Sequence, residues 1–128
     1  MKPPREAHDE RGAGSALAAA VIVFIGATAF WAVLLSAWSG SIHAARSAAD
    51  MAALSAAHAH LIQHEPCEDA GRVAARNGAT MGSCHLRLGA DGFVVEVTVT
   101  VPLNPRMPGA PESVRAMSSA GLLPLEGQ

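Results

Sequence analysis

Apolar and polar positions divide the chain into unlike stretches. From Gly12 through Ile42 there is no Asp, Glu, Lys, Arg or His. That run exceeds the roughly 20 apolar residues that cross a bilayer core. Its densest part, Leu17 to Trp38, contains no proline and reads as one uninterrupted helix, with the membrane span over 13–42. Nothing between Ser41 and His64 breaks a helix. Met51, Leu54 and Leu61 fall on one helical face with Ile62 beside them, and Arg46 and Asp50 stand four apart, a spacing that pairs across one turn. The helix is therefore expected to continue outward over 43–64 and to end ahead of Pro66, because the residue before proline avoids helical geometry. Leu17 to His64 would then make a rod on the order of 70 Å long, at about 1.5 Å per residue.

Beyond Pro66 the elements are shorter. A short helix is predicted over Glu68–Arg76, with Asn77-Gly78 supplying a left-handed exit. Cys84–Leu88, a turn at Gly89-Ala90-Asp91-Gly92 and a long strand over Phe93–Val101 follow as a β-hairpin. In the long strand Phe93, Val95, Val97, Val99 and Val101 share one face, while Val94, Glu96, Thr98 and Thr100 share the other. The Met51–Leu54–Leu61 stripe is the expected cover for the valine face. Pro102, Pro105, Pro108 and Pro111 argue against regular structure up to Ser113, so 105–128 reads as a Pro-rich, largely irregular tail. The far edge of the valine strand has no partner in this reading. The expected fold class is α+β: a leader over 1–12, a long N-terminal transmembrane helix with its continuation, and a small domain over 65–104 holding a short helix and a β-hairpin.

Composition sharpens the membrane reading. Hydrophobic residues make up 50% of the 128 and charged residues only 16%, against about 25% charged in ordinary soluble domains. The excess is alanine, 27 in all with 18 between Ala13 and Ala59. The alternatives to a permanent span fit less well. A cleaved signal peptide has an apolar core of about 7–15 residues behind a basic leader, whereas this core is longer and its leader mixes Lys2, Arg5 and Arg11 with Glu6, Asp9 and Glu10. A buried core helix would need more protein around it than the chain supplies. Three basic residues ahead of the span face Arg46 alone just beyond it, a positive-inside bias, and both cysteines lie downstream, which suits an oxidising compartment on that side. The N-terminus is therefore expected in the cytoplasm and the rest outside the plasma membrane. A net charge of −2 argues against a nucleic-acid partner, which would require a basic stripe.

Candidate chemistry is sparse. Ala32, Ser36 and Gly40 recur every four residues and would give a groove of small side chains for close helix packing in lipid, although an Ala-rich segment also produces such spacings by chance. Gly12-Ala-Gly14 begins like a dinucleotide fingerprint, but no strand precedes it and Leu17 stands at the third glycine's place. Cys67 and Cys84 bracket the short helix; a domain this small needs a staple, and a bridge closing their loop contributes about 3 kcal/mol. The competing reading, a reactive pair, lacks a Cys-x-x-Cys spacing. His60 and His64 stand four apart near His58 and Cys67, a possible zinc-ligand spacing, set against plain solvated positions on an alanine helix. Glu65, Glu68 and Asp69 sit at a helix start, where carboxylates favour the dipole. No nucleophile elbow, phosphate loop or paired-carboxylate motif appears. The sequence thus predicts no enzyme, no cofactor and no small-molecule substrate; the partners are a lipid bilayer and other membrane proteins.

The order of segments resembles a known family. Arg11-Gly12-Ala13-Gly14-Ser15 leads into the span, and Ala44-Ala45-Arg46-Ser47-Ala48-Ala49-Asp50-Met51-Ala52-Ala53-Leu54-Ser55-Ala56-Ala57 follows it. This resembles the TadE/TadG-like proteins of tight-adherence (Flp) pilus systems, in which an Arg-Gly leader precedes the membrane helix and an Ala-Ala-Asp-x-Ala-Ala-Leu-Ala-like segment follows. Cys67, Ala74-Ala75-Arg76-Asn77-Gly78-Ala79, Cys84 and the Val-rich strand look closer still to the short TadE-like proteins of actinobacteria. The resemblance covers roughly Glu10 to Val101. It implies a pilin-like fold and a minor pilin-like or pseudopilin-like protein that helps build or prime a surface fibre with other pilin-like partners. It also marks Gly12 and Gly14 as possible leader-processing glycines. Type IV pilin relatives carry a glutamate at the fifth position of the new N-terminus; here that residue is Leu17 after Gly12 and Ala19 after Gly14, which favours an accessory role. Two other readings stand beside this one: an envelope-anchored binding module unrelated to pili, and a metal-dependent activity using the histidines.

Overall fold

The computed structural model describes Met1 and residues 10–122. The leader residues Lys2, Arg5, Glu6 and Asp9, and the end of the tail over 123–128, lie outside the described residues. The chain has two helices and three strands: α1 (Glu10–Leu61), α2 (Pro66–Arg76), β1 (Thr80–Leu88), β2 (Phe93–Pro102) and β3 (Ser113–Leu122). It divides into two compact units, Met1–Leu35 and Ser36–Gln128.

In the first unit α1 is apolar all round. Leu17, Ile22, Val23, Phe24, Phe30 and Val33 are all exposed, a distribution that water penalises and lipid does not. The hydroxyls of Ser15 and Thr28 donate back to the carbonyls of Gly12 (3.0 Å) and Ile25 (2.9 Å), so these polar groups are satisfied inside the helix. α1 is long and apolar enough to cross a membrane, and its place near the N-terminus is compatible with single-pass anchoring.

The second unit is two-layered. Ala45, Ala48, Ala49, Ala52, Ala53 and Ala56, spaced three, one, three, one and three residues apart, form one buried stripe on α1 and a single core with Phe93, Val95, Val97, Val99 and Val101 of β2. Val95, Val97 and Val99 are fully buried, each a favourable term of about 1.5–3 kcal/mol. The cover is thus alanine, not the expected larger residues. Met51, Leu54 and Leu61 are 54%, 61% and 55% exposed, on a different face of the helix. The physical reason is distance: a methyl group lets the helix axis approach the sheet closely, whereas a leucine at the contact would hold it off, and alanine loses no rotamer entropy when buried.

Three further expectations are corrected. First, α1 ends at Leu61 and not His64. Gln63 adopts a left-handed φ of 62°, its N–H donates to His60 O (3.1 Å) and the His64 N–H donates to Ala59 O (2.8 Å). This is a Schellman end that needs no proline to stop the helix. Second, the region read as irregular tail contains a strand. β3 pairs antiparallel with β2 along its whole length, from Pro102 opposite Ser113 to Phe93 opposite Leu122, so the hairpin is a three-stranded sheet of order β1-β2-β3 and the valine strand is central. A Cβ at Gly121 would overlap the Phe93 carbonyl, so only glycine fits where β3 crosses that point. Third, Arg46 and Asp50 are exposed and form no ion pair among the described residues.

The remaining elements follow the sequence more closely. The β2 alternation is realised residue for residue. α2 leaves through Gly78 at φ 71°, with the Gly78 N–H to Ala75 O (3.1 Å) and the Ala79 N–H to Ala74 O (3.0 Å), a second Schellman end. β1 starts at Thr80, earlier than Cys84, because a bulge at Gly82 between Met81 and Ser83 restores the register.

Two stability predictions follow from the alanine layer and the helix end. Ala52→Leu is expected to cost about 1–3 kcal/mol by overpacking, while Leu54→Ala stays within about 0.5 kcal/mol; urea unfolding in mild detergent measures both, and the reverse order contradicts the assignment of faces. Gln63→Gly relieves a left-handed non-glycine residue and should stabilise by about 1 kcal/mol, read as a higher midpoint in the same titration.

Candidate functional site

The sequence-singled residues fall into three places. Cys67 on α2 and Cys84 on β1 form a disulfide with Cα atoms 5.7 Å apart, and no free cysteine remains among the described residues. The bridge ties the start of α2 to the strand it packs on. Ala70 and Ala74 of α2 are buried, and the end of the Met81 side chain lies near Gly71, 3.4 Å from where a Cβ would stand. Small residues therefore set the α2 contact as they set the α1 contact. On the outer side of α2, Arg72 pairs with Asp69 and lies 3.9 Å from Glu68. The two acids at the helix start have a local partner as well as the dipole.

The histidine pair does not form a ligand set. His60 is half-buried and its ring packs on Phe93, with centroids 4.4 Å apart. His64 lies beyond the end of α1, where its backbone closes the helix. With α1 ending at Leu61, the four-residue spacing does not place the two on one helical face. Both thiols are consumed by the disulfide, and the described residues contain no group of three or more His, Cys, Asp or Glu side chains placed around a metal.

Gly12 and Gly14 lie in the first turns of α1, and a Cβ at either would meet nothing within 4 Å. Ala32, Ser36 and Gly40 are exposed positions of the same helix. A Cβ at Gly40 likewise meets nothing within 4 Å.

Two features were not foreseen. At the β1–β2 turn, a groove of about 530 Å³ is lined by residues from Arg87 to Val94 with Glu96 and Ser119; Arg87 and Glu96 of this lining form an ion pair at 2.7 Å. At the opposite end of the sheet the Trp38 indole N–H donates to the Pro105 carbonyl at 3.4 Å. The available signal for the second was a tryptophan near the end of an uncharged run, the position aromatic residues prefer at a membrane surface. No family model, curated protein or solved structure matches this chain.

The staple generates its own prediction. Alkylation of the unfolded, unreduced protein should label neither Cys67 nor Cys84, and reduction should lower the stability of the domain by about 3 kcal/mol. Labelling of both thiols with an unchanged unfolding midpoint contradicts it.

Proposed function

We propose that the protein is a minor pilin-like or pseudopilin-like component that assists assembly of a tight-adherence (Flp, type IV-like) pilus or a related secretion apparatus. It sits in the plasma membrane by a single span, with its N-terminus in the cytoplasm and the stapled domain outside. The observation that carries this reading is the double use of the Ala44–Ala57 segment. It holds the Ala-Ala-Asp-Met-Ala-Ala-Leu motif that resembles the TadE-like proteins, and its alanines are the ones that pack on the valine strand. The motif is therefore a packing requirement of an α1–sheet unit directly continuous in sequence with an apolar anchor. The disulfide supports an oxidising compartment for the domain, and the excess of Lys and Arg ahead of the span over those just beyond it supports a cytoplasmic N-terminus. The protein acts by helix-to-helix association with pilin-like membrane proteins, through the small residues Ala32, Ser36 and Gly40.

The test is cross-linking in native membranes with Ser36→Cys and Gly40→Cys, keeping Cys67 and Cys84 bridged. The expected outcome is an adduct to itself or to a second small membrane protein encoded with a secretion ATPase, lost when Ala32 is replaced by Glu and kept when Ser118 is replaced by Ala. Monomer alone, with protease-accessible domain on intact cells, overturns the assembly role and leaves an anchored binding module.

A further inference from the structure

The connection between β2 and β3, residues 103–112, is long beside the 2–5 residues usual for a hairpin. It is nevertheless structured. The Leu103 N–H donates to Glu112 O (2.9 Å) at its base and the Ala110 N–H to Met107 O (3.1 Å) near its tip, with Gly109 at φ 82° and Leu103 buried. The 106–112 segment encloses a cup of about 360 Å³. Arg106 and Glu112 are its ionisable side chains; Arg106 is exposed and neither forms an ion pair among the described residues.

The start of this loop lies beside Trp38, which is half-buried and donates its indole N–H to the Pro105 carbonyl. Trp38 stands four residues before Ile42, where the uncharged run ends. The loop therefore lies beside the helical turns at which apolar sequence gives way to His43 and Arg46. In a bilayer that level is the interfacial layer, about 5–8 Å deep on each side, where tryptophan is enriched. An arginine there meets phosphate oxygens, which its planar guanidinium binds in a bidentate fork. Met107, Pro108 and Pro111 give the same loop an apolar, backbone-poor tip in which few N–H groups need water.

We propose that the 103–112 loop is a second membrane contact, with Arg106 paired to the phosphate of a phospholipid headgroup and Met107 and Pro108 seated in the interfacial layer. The proposal rests on the reading of α1 as a membrane span. It makes the domain a body docked on the bilayer surface at one end of its sheet, and not one carried on the helix alone.

The test uses the full chain in vesicles of phosphatidylcholine and phosphatidylglycerol, with Cys67 and Cys84 bridged. An environment-sensitive fluorophore is attached in turn at Met107→Cys, Asp91→Cys and Ile25→Cys, and quenching by nitroxide lipids is recorded. Asp91 is the control because β2 separates it from the loop by a ten-residue strand, roughly 30 Å. Quenching is expected at 107 by headgroup-level nitroxide and at 25 by mid-bilayer nitroxide, with none at 91. Arg106→Ala should lower the docked-to-free ratio at 107 about fivefold, the effect of one basic residue near an anionic surface. If 25 is quenched and 107 behaves like 91, the span stands and the loop contact is wrong. If 107 is quenched equally with Arg106→Ala, the phosphate pairing is wrong. If 25 is not quenched, the span fails and the proposal with it.

Discussion

The close approach of an alanine helix face to a valine strand is the contact on which the rest of the second unit depends. Ala45, Ala48, Ala49, Ala52, Ala53 and Ala56 present only methyl groups, so the apolar area of the core comes mainly from the sheet side. Phe93 and four valines on one strand supply it. Such a core is thin. It leaves little margin for a domain of this size, and that explains why two other constraints accompany it: a disulfide joining α2 to β1, and two backbone-closed helix ends that fix the directions of the chain after α1 and after α2.

The same economy of side chains governs the sheet edges. β2 is protected on both sides. β1 carries a bulge at Gly82 and is covered by α2, devices that discourage a further strand from adding there. β3 has neither device. Its inward residues Val114, Ala116, Ser118 and Ala120 are only half-buried, and they are small. This strand contributes pairing more than packing, and its chief role within the chain is to remove the exposed edge that β2 would otherwise present.

How much of this was legible in the sequence differs by element. The apolar run and the period-two pattern of β2 were plain because each is a strong signal of one kind: absence of charge, and strict alternation of β-branched residues. Gly78 was readable because a left-handed exit has a residue preference. The cover of the valine face was misread because hydrophobicity ranks Met and Leu above Ala, while the packing geometry selected for the smallest side chain. β3 was missed because Ser-Val-Arg-Ala-Met-Ser-Ser-Ala-Gly-Leu alternates in size but barely in polarity, and its strand character comes from the full ladder that β2 offers. The left-handed Gln63 carried no sequence signal at all. As for the candidate site, the cysteine pair is legible from spacing and domain size, whereas His60 and His64 make a pair only on a helix that runs through both, and α1 ends between them.

An antiparallel meander of three strands has two distinct ends, and that fact limits what each can do. The β1–β2 turn, with its Arg87–Glu96 pair and its groove, lies at one end, and the 103–112 loop lies at the other. Trp38 contacts the second. Because Trp38 belongs to the uncharged run, the loop end is the end nearest the point where that run meets polar sequence, and the β1–β2 turn is a full strand length away from it. A partner in solution and a lipid surface would therefore be met at opposite ends of β2. The bridge between Cys67 and Cys84 stands between them, since Cys84 pairs with Val97 near the middle of β2. Both ends belong to the one strand whose valine face forms a single core with the alanine face of α1.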